Sequence, residues 1–433
     1  MDPIIAGVIA VFVMLALIFI GVPIAFALAV VGVVGNAVFL GVPQTAVLVQ
    51  ITAWEIGTNF LLIAVPLFIF MGQLVYQTGI ASDLFDFVYK WFGRMPGGLA
   101  VTVVITSAGF GAVTGSSVAA VSTMGTMVMP EMRKYKYNLR MATGSLASAG
   151  TLAILIPPSI PLVIYGVWTE SSIGKLFIAG IIPGVLMAAA FCGMIVVRCV
   201  LNREMGPPGP RFPWSERLAS LKKLLPTAVI FGVVLGGIYG GFFTPTEASA
   251  IGAAGVVVVA ALMGRLTWAR LRDSLFQSGL ISAMVFAILL GGVLLSRFLV
   301  QTDVTSALVQ FIGGQDVNRY VVIFMFALMY LTLGAVLDTF GMLILTLPFV
   351  FPIVLELGFD RIWFGIFMTM MMELALITPP IGLNVYVMNK SAPDVPLSEI
   401  FIGTIPFVIA CLIMVALITA FPGLALWLPS TMG

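Results

Sequence analysis

The chain has 433 residues, 61% of them hydrophobic and only 9% charged, with a formal net charge of +2. A soluble domain carries about 25% charged residues, so this composition excludes an ordinary soluble protein and places the chain in a bilayer. It contains no histidine and neither a P-loop nor a nucleophile elbow, so no enzyme is expected.

Backbone groups in lipid must pair internally, and about twenty apolar residues cross the hydrocarbon as a helix. Met1-Asp2-Pro3 lacks the basic start of a signal peptide, so the first apolar stretch is expected to be a true span. Spans are read at 4–21, 23–40 and 60–78, with an amphipathic connector at 80–92. Residues 98–130 are interrupted by small and polar residues from Gly111 to Ser117, which predicts a re-entrant hairpin. A broken span at 138–168, interrupted at Pro157-Pro158, and a span at 174–200 complete a first unit, residues 1–200. Residues 201–224, polar and rich in Pro and Arg, read as a cytoplasmic linker.

The second unit, 225–433, repeats the plan. Spans are read at 225–240 and 246–263, a connector at 264–275, a span at 277–300 and a short connector at 303–314. A hairpin at 319–357 surrounds Asp338-Thr339, a broken span covers 361–389 around Pro379-Pro380, and a helical region covers 398–427. Gln77-Thr78 matches Gln301-Thr302, Pro130 matches Pro352, Pro157-Pro158 matches Pro379-Pro380, and Ile182-Pro183 matches Ile405-Pro406, at offsets of 222 to 224. The fold expected is an all-α inverted repeat of about ten spans and two re-entrant hairpins.

Charge tests the topology. With the N-terminus outside, sixteen Lys and Arg residues fall on inner connectors and three (Lys175, Arg319 and Arg361) outside, as the positive-inside rule requires. Arg297 is left inside a span.

Paired helix breaks in two halves point to a transport site. Breaks free carbonyls for a hard cation and expose helix N-termini to an anion. Ser116 and Ser117 on the first tip, and Thr339 and Asn384 in the second half, offer hydrogen bonds to a substrate. Asp338 lies deep in an apolar stretch, where cation coupling, substrate contact and a helix cap are all open readings. Arg297 suits a carboxylate or sulfonate, or it snorkels to the interface. Glu373 either pairs with a neighbour or serves transport. Thr244-Pro245-Thr246-Glu247 reads as a capping box, and Glu55 beside Trp54 as an interface anchor. Cys192, Cys199 and Cys411 have no ligand spacing.

Four motifs in order, Thr114-Gly115-Ser116-Ser117-Val118-Ala119, Leu155-Ile156-Pro157-Pro158-Ser159, Phe243-Thr244-Pro245-Thr246-Glu247-Ala248 and Ile377-Thr378-Pro379-Pro380-Ile381-Gly382-Leu383-Asn384, resemble the large membrane subunit of tripartite ATP-independent periplasmic (TRAP) transporters. The resemblance implies Na+-coupled import of a small organic anion, carboxylate or sulfonate, across the inner membrane of a bacterium or archaeon. It implies delivery by a periplasmic substrate-binding protein, a small four-helix membrane subunit on a separate chain, and a one-subunit elevator motion. It also implies one sodium site around Gly111 and Thr114 with Ala153, Ile156 and Pro158, and another with Gly334, Ala375, Thr378 and Ile381. Members commonly have Ser where Gly111 stands and Gly where Ala153 stands; a sodium ion held by backbone carbonyls survives that change, whereas one that needs a Ser hydroxyl finds the first site altered. No organic cofactor is implied. The alternative is a stand-alone anion:sodium symporter of related fold.

Overall fold

The computed structural model describes residues 2–313, 318–335 and 337–432, with backbone alone at 112–114 and 311–313. Among the described residues every regular element is helical. The first half runs α1 (Pro3–Phe19), α2 (Ile24–Leu40), α3 (Val42–Thr58), a 3-10 turn (Phe60–Ile63), α4 (Ala64–Gln77) and α5 (Ile80–Phe92). A hairpin of α6 (Gly98–Thr114) and α7 (Ser117–Lys134) follows. The broken span is α8 (Leu139–Ala149), α9 (Leu152–Leu155) and α10 (Ile160–Trp168), and α11 (Ile173–Leu201) closes the half.

The second half opens with α12 (Trp214–Tyr239), α13 (Pro245–Leu262), α14 (Trp268–Gln301) and α15 (Val304–Gly313). Its hairpin is α16 (Arg319–Leu333) and α17 (Thr339–Glu356). Its broken span is α18 (Arg361–Ala375) and α19 (Leu383–Ser391), followed by α20 (Leu397–Ala420) and α21 (Gly423–Ser430). The ten expected spans are all helical. Among the described residues seven helices are long and apolar enough to cross a membrane, or eight with the bent pair from Leu139 to Trp168. Helices α1 and α2, at 17 residues each, are shorter apolar helices.

Matching caps start matching helices. Asn138 Oδ1 accepts the Arg140 and Met141 N–H groups at 3.0 and 3.3 Å, and Asp360 Oδ1 accepts those of Ile362 and Trp363 at 2.7 and 3.0 Å. Each side chain satisfies donors that a helix start leaves unpaired. The Thr244 capping box forms as expected. The Pro157–Pro158 and Pro379–Pro380 bonds are both cis.

Two expectations fail. The linker is only 202–213, because α12 already begins at Trp214. Its first turns are polar yet hold no Gly or Pro before Pro226, so helix propagates, and Lys223 pairs with Asp86 and Glu216 with Lys90 on α5. The connector expected at 264–275 is no separate element either: α14 runs 34 residues unbroken, with Gly279 its first glycine and no proline. Polarity marks where a helix leaves lipid, not where it ends.

Packing separates two groups. One is an outer frame in which α14 lies along α2, and α4 packs on α13 and α14. The other is an inner bundle in which α20 packs on α8, α19 on α7 and α8, and the hairpins on the broken spans. Every residue of α18 from Ile362 to Ala375 is buried, which marks a central helix. Small residues bring backbones together: a Cβ on Gly144 would lie 2.2 Å from the Gly403 carbonyl oxygen. In lipid such close approach replaces the hydrophobic effect as the source of helix association.

Candidate transport site at the hairpin tips

Each hairpin is locked to the broken span of its own half through one glycine. A Cβ on Gly111 would lie 2.0 Å from Ala153 Cα, and a Cβ on Gly334 would lie 2.1 Å from Ala375 Cβ. Gly111 and Gly334 are repeat mates, as are Ala153 and Ala375. Proline has no N–H, so Pro157 and Pro379 cannot donate to the Ala153 and Ala375 carbonyls one turn back. Both carbonyls lie where a hairpin touches its broken helix; that of Ala375 accepts the Thr378 N–H at 3.3 Å instead.

The first tip turns at Gly115, whose φ of 59° suits glycine and whose N–H donates to Gly111 O at 2.7 Å. An added Cβ there would lie 3.4 Å from Pro158 O, which brings Pro158 to the tip. Ile156 follows α9 and packs against Gly184 of α11. The Thr114 side chain lies outside the described residues. In the second half the Thr378 hydroxyl donates to Leu374 O at 2.6 Å, which leaves its oxygen lone pairs free. Ile381 is 41% exposed beside the break.

The substrate candidates divide. Ser116 caps α7, its Oγ accepting the Ala119 N–H at 3.3 Å, and its repeat mate Asp338 caps α17, accepting the Gly341 N–H at 2.9 Å. Ser117 donates to Asn384 Oδ1 at 3.3 Å, so the first tip touches the second broken span. Thr339 donates toward Glu373 Oε1 at 3.5 Å. Arg297 stands apart: its guanidinium meets Glu55 Oε2 at 2.6 Å in a partly exposed ion pair, so Glu55 is more than an interface anchor.

A cavity of about 200 Å³ separates frame from bundle. The frame contributes Ile69, Gly72, Gln73 and Tyr76 of α4 with Ile281 of α14. The bundle contributes Phe110, Ser116, Ala119, Ser122, Thr123, Ile160 and Phe340. None of these side chains is charged. The cavity offers hydroxyls, the Gln73 amide and the α7 N-terminus, an arrangement that takes a polar group without a fixed counter-charge. Of the substrate candidates read from sequence, Ser116 lines it. Gln73, Tyr76, Ser122 and Thr123 were missed. Their signal was a set of polar residues at helical spacing inside apolar helices, far quieter than an arginine.

The "Tripartite ATP-independent periplasmic transporter, DctM component" family model matches residues 11–424. The chain is 33% identical over 392 residues to the C4-dicarboxylate TRAP transporter large permease protein DctM of Pseudomonas aeruginosa, covering 90% of this chain and 91% of that one. It is 32% identical to the ectoine/5-hydroxyectoine TRAP transporter large permease protein UehC of Ruegeria pomeroyi, over 85% of each chain. The fold is similar to the crystal structure of the Alcanivorax borkumensis YdaH transporter, with a TM-score of 0.65 at 10% identity over 99% of this chain and 98% of that one. With the match spanning both hairpins, both broken helices and the frame, the chain belongs to the DctM family of tripartite ATP-independent periplasmic transporters.

Proposed function

We propose that this membrane protein imports a small organic anion by coupling to Na+. A periplasmic binding protein delivers the anion, and a small membrane subunit on a separate chain completes the complex. The observation that carries the reading is the uncharged cavity between frame and bundle, with a glycine-locked hairpin at each of two helix breaks. The anion meets the Ser116 end of α7, whose N-terminal dipole favours negative charge by about 0.3–1 kcal/mol. Carbonyls around Gly111, Ala153, Ile156 and Pro158 hold one Na+. Gly334, Ala375, Thr378 and Ile381 hold the other. Asp338 and Thr339 support the second tip, and Asn384 reaches across to Ser117 of the first. The bundle carries this load past the frame as an elevator, and the N-terminus faces out.

Uptake into proteoliposomes tests the reading, with this chain, its small subunit and its binding protein, with and without an inward Na+ gradient. Candidate acids are chosen by thermal shift of the binding protein. Uptake that needs all three proteins and Na+ is expected. Uptake indifferent to Na+ removes the coupling, and uptake by this chain alone makes it a stand-alone symporter.

A further inference from the structure

Beyond the cavity at the Ser116 tip, a second one of about 660 Å³ opens between α7 and α19. Ser122 lines both. From there Thr126 and Arg133 continue along α7 as lining residues of the second cavity. At 3.6 residues per turn these three positions lie within about 40° of arc, and they span about 16 Å of helix. One face of α7 thus joins the two cavities. The other wall is α19. A Cβ on Gly125 would lie 2.9 Å from Ser391 Oγ, so the two helices touch beside the opening.

The charges of the second cavity do not cancel. Arg133 pairs with Asp394. Lys390, exposed in the last turn of α19, belongs to no ion pair among the described residues. The Thr126 hydroxyl is spent on Ser122 O at 2.8 Å. The Ser122 and Ser391 hydroxyls, which also line the cavity, donate to no group among the described residues. The other half has no copy of this corridor. The repeat mates of Ser122, Thr126, Arg133 and Lys390 are Ile344, Pro348, Leu355 and Trp168, all apolar. The inner ends of membrane helices collect Lys and Arg in general. That rule accounts for a lysine here, but not for free serine hydroxyls in a cavity continuous with the first.

We propose that the second cavity is an acid-group site, occupied by a carboxylate or sulfonate as it leaves the uncharged cavity. Lys390 supplies the counter-charge, and Ser122 and Ser391 supply hydrogen bonds. The first cavity has no charged lining, so an anion gains Coulomb attraction by moving along α7 toward Lys390. A lysine is a strongly hydrated point charge without the bidentate fork of arginine, so it draws the anion out without trapping it. With the N-terminus facing out, this end of α7 opens inward, and the site lies on the exit side. The proposal rests on the anion-import reading for that direction.

The test labels Thr126→Cys in the purified membrane complex with two methanethiosulfonate reagents, one carrying a sulfonate and one a trimethylammonium group. The parent chain, with Cys192, Cys199 and Cys411, gives the background. Relative to a Lys390→Gln background, Lys390 should raise the ratio of sulfonate to ammonium labelling by about tenfold, and Lys390→Arg should keep that preference. Succinate or methanesulfonate should slow the labelling. A ratio indifferent to Lys390, or labelling that neither acid slows, overturns the site. Protection by phosphatidylglycerol vesicles and by neither free acid assigns the cavity to a lipid headgroup and also overturns it. Uptake should fall about threefold in Lys390→Gln, and uptake at the wild-type rate removes the exit role. Labelling needs neither Na+ nor the binding protein. A site that passes these tests in a complex without Na+-dependent uptake therefore stands, while the import reading fails.

Discussion

The two halves share one plan and differ in the arm that leads to the hairpin. In the first half α3 stops at Thr58, a 3-10 turn follows, and α4 restarts at Ala64. In the second half the matching stretch is the single helix α14. Two neighbouring positions explain the split. Asn59 Oδ1 accepts the Leu61 N–H at 2.9 Å and caps the new turn, and Pro66 falls in the first turn of α4, where no N–H donor is needed. Its repeat mate is Leu290, in the middle of α14. The break gives the first arm a different reach. Gln73 of α4 lines the cavity, whereas its repeat mate Arg297 pairs with Glu55. The comparison teaches that function in a repeat fold follows from where the symmetry is broken.

The most damaging test of this contrast is Leu290→Pro. A proline inside a helix costs about 3 kcal/mol or more, so folded protein should be lost from the membrane fraction, while Pro66→Leu remains stable. Normal accumulation of Leu290→Pro would mean that α14 tolerates the same break as the first arm.

The glycine locks come next. Gly111→Ala drives a Cβ into Ala153 backbone, with Cα at 2.0 Å, whereas Gly334→Ala meets chiefly the Ala375 Cβ at 2.1 Å, with its Cα at 3.1 Å. Overpacking of this kind costs about 1–3 kcal/mol, so both variants should unfold at lower temperature. Ala375→Gly should largely rescue Gly334→Ala, whereas Ala153→Gly should rescue Gly111→Ala only in part. Equal rescue would show that the two locks are equivalent after all.

The third test sets Gln73 against Arg297. Gln73→Leu should lower uptake by about tenfold, equivalent to about 1.4 kcal/mol. Arg297→Leu removes a partly exposed pair worth about 1 kcal/mol or less and should leave uptake within about threefold. The reverse ranking would move the substrate to Arg297.

The smallest effect concerns a pair with no mate in the other half. The Arg133 guanidinium hydrogen-bonds Asp394 and holds its carboxyl below the ordinary aspartate range. The unfolded value is about 3.9. A depressed folded value stabilises above the unfolded one, and that contribution is lost as pH falls through the folded value. The melting temperature of the wild type should therefore slightly exceed that of Asp394→Asn at neutral pH, and the two should converge in acid. A gap that persists unchanged in acid would mean that the carboxylate charge is not its source.

Much of this was legible where the rule was local. The Pro pairs at 157 and 379, the Thr244 capping box and the constant offset of the repeat could each be read from residue identity and spacing alone. The full lengths of α12 and α14 were not, because charge at a membrane surface looks like a loop whether or not the helix continues. The cavity was only half legible. Ser116 sits at a visible break, whereas Gln73 becomes a lining residue only once α4 is packed across from α7. Glu373 stood out as an acid in an apolar stretch, but nothing along the chain says that Thr339 of the second tip reaches it.

The close pairing of α8 with α20 has a consequence for biogenesis. Gly144 and Gly403 touch through their backbones, yet 259 residues separate them in the chain. At about 5–20 residues per second, the ribosome delivers α20 roughly 13–50 s after α8. During that interval Thr143, Ser145 and Ser148, all buried in the finished protein, lack their final neighbours. A newly inserted first half is therefore an unfinished substrate for membrane quality control until the last long helix arrives.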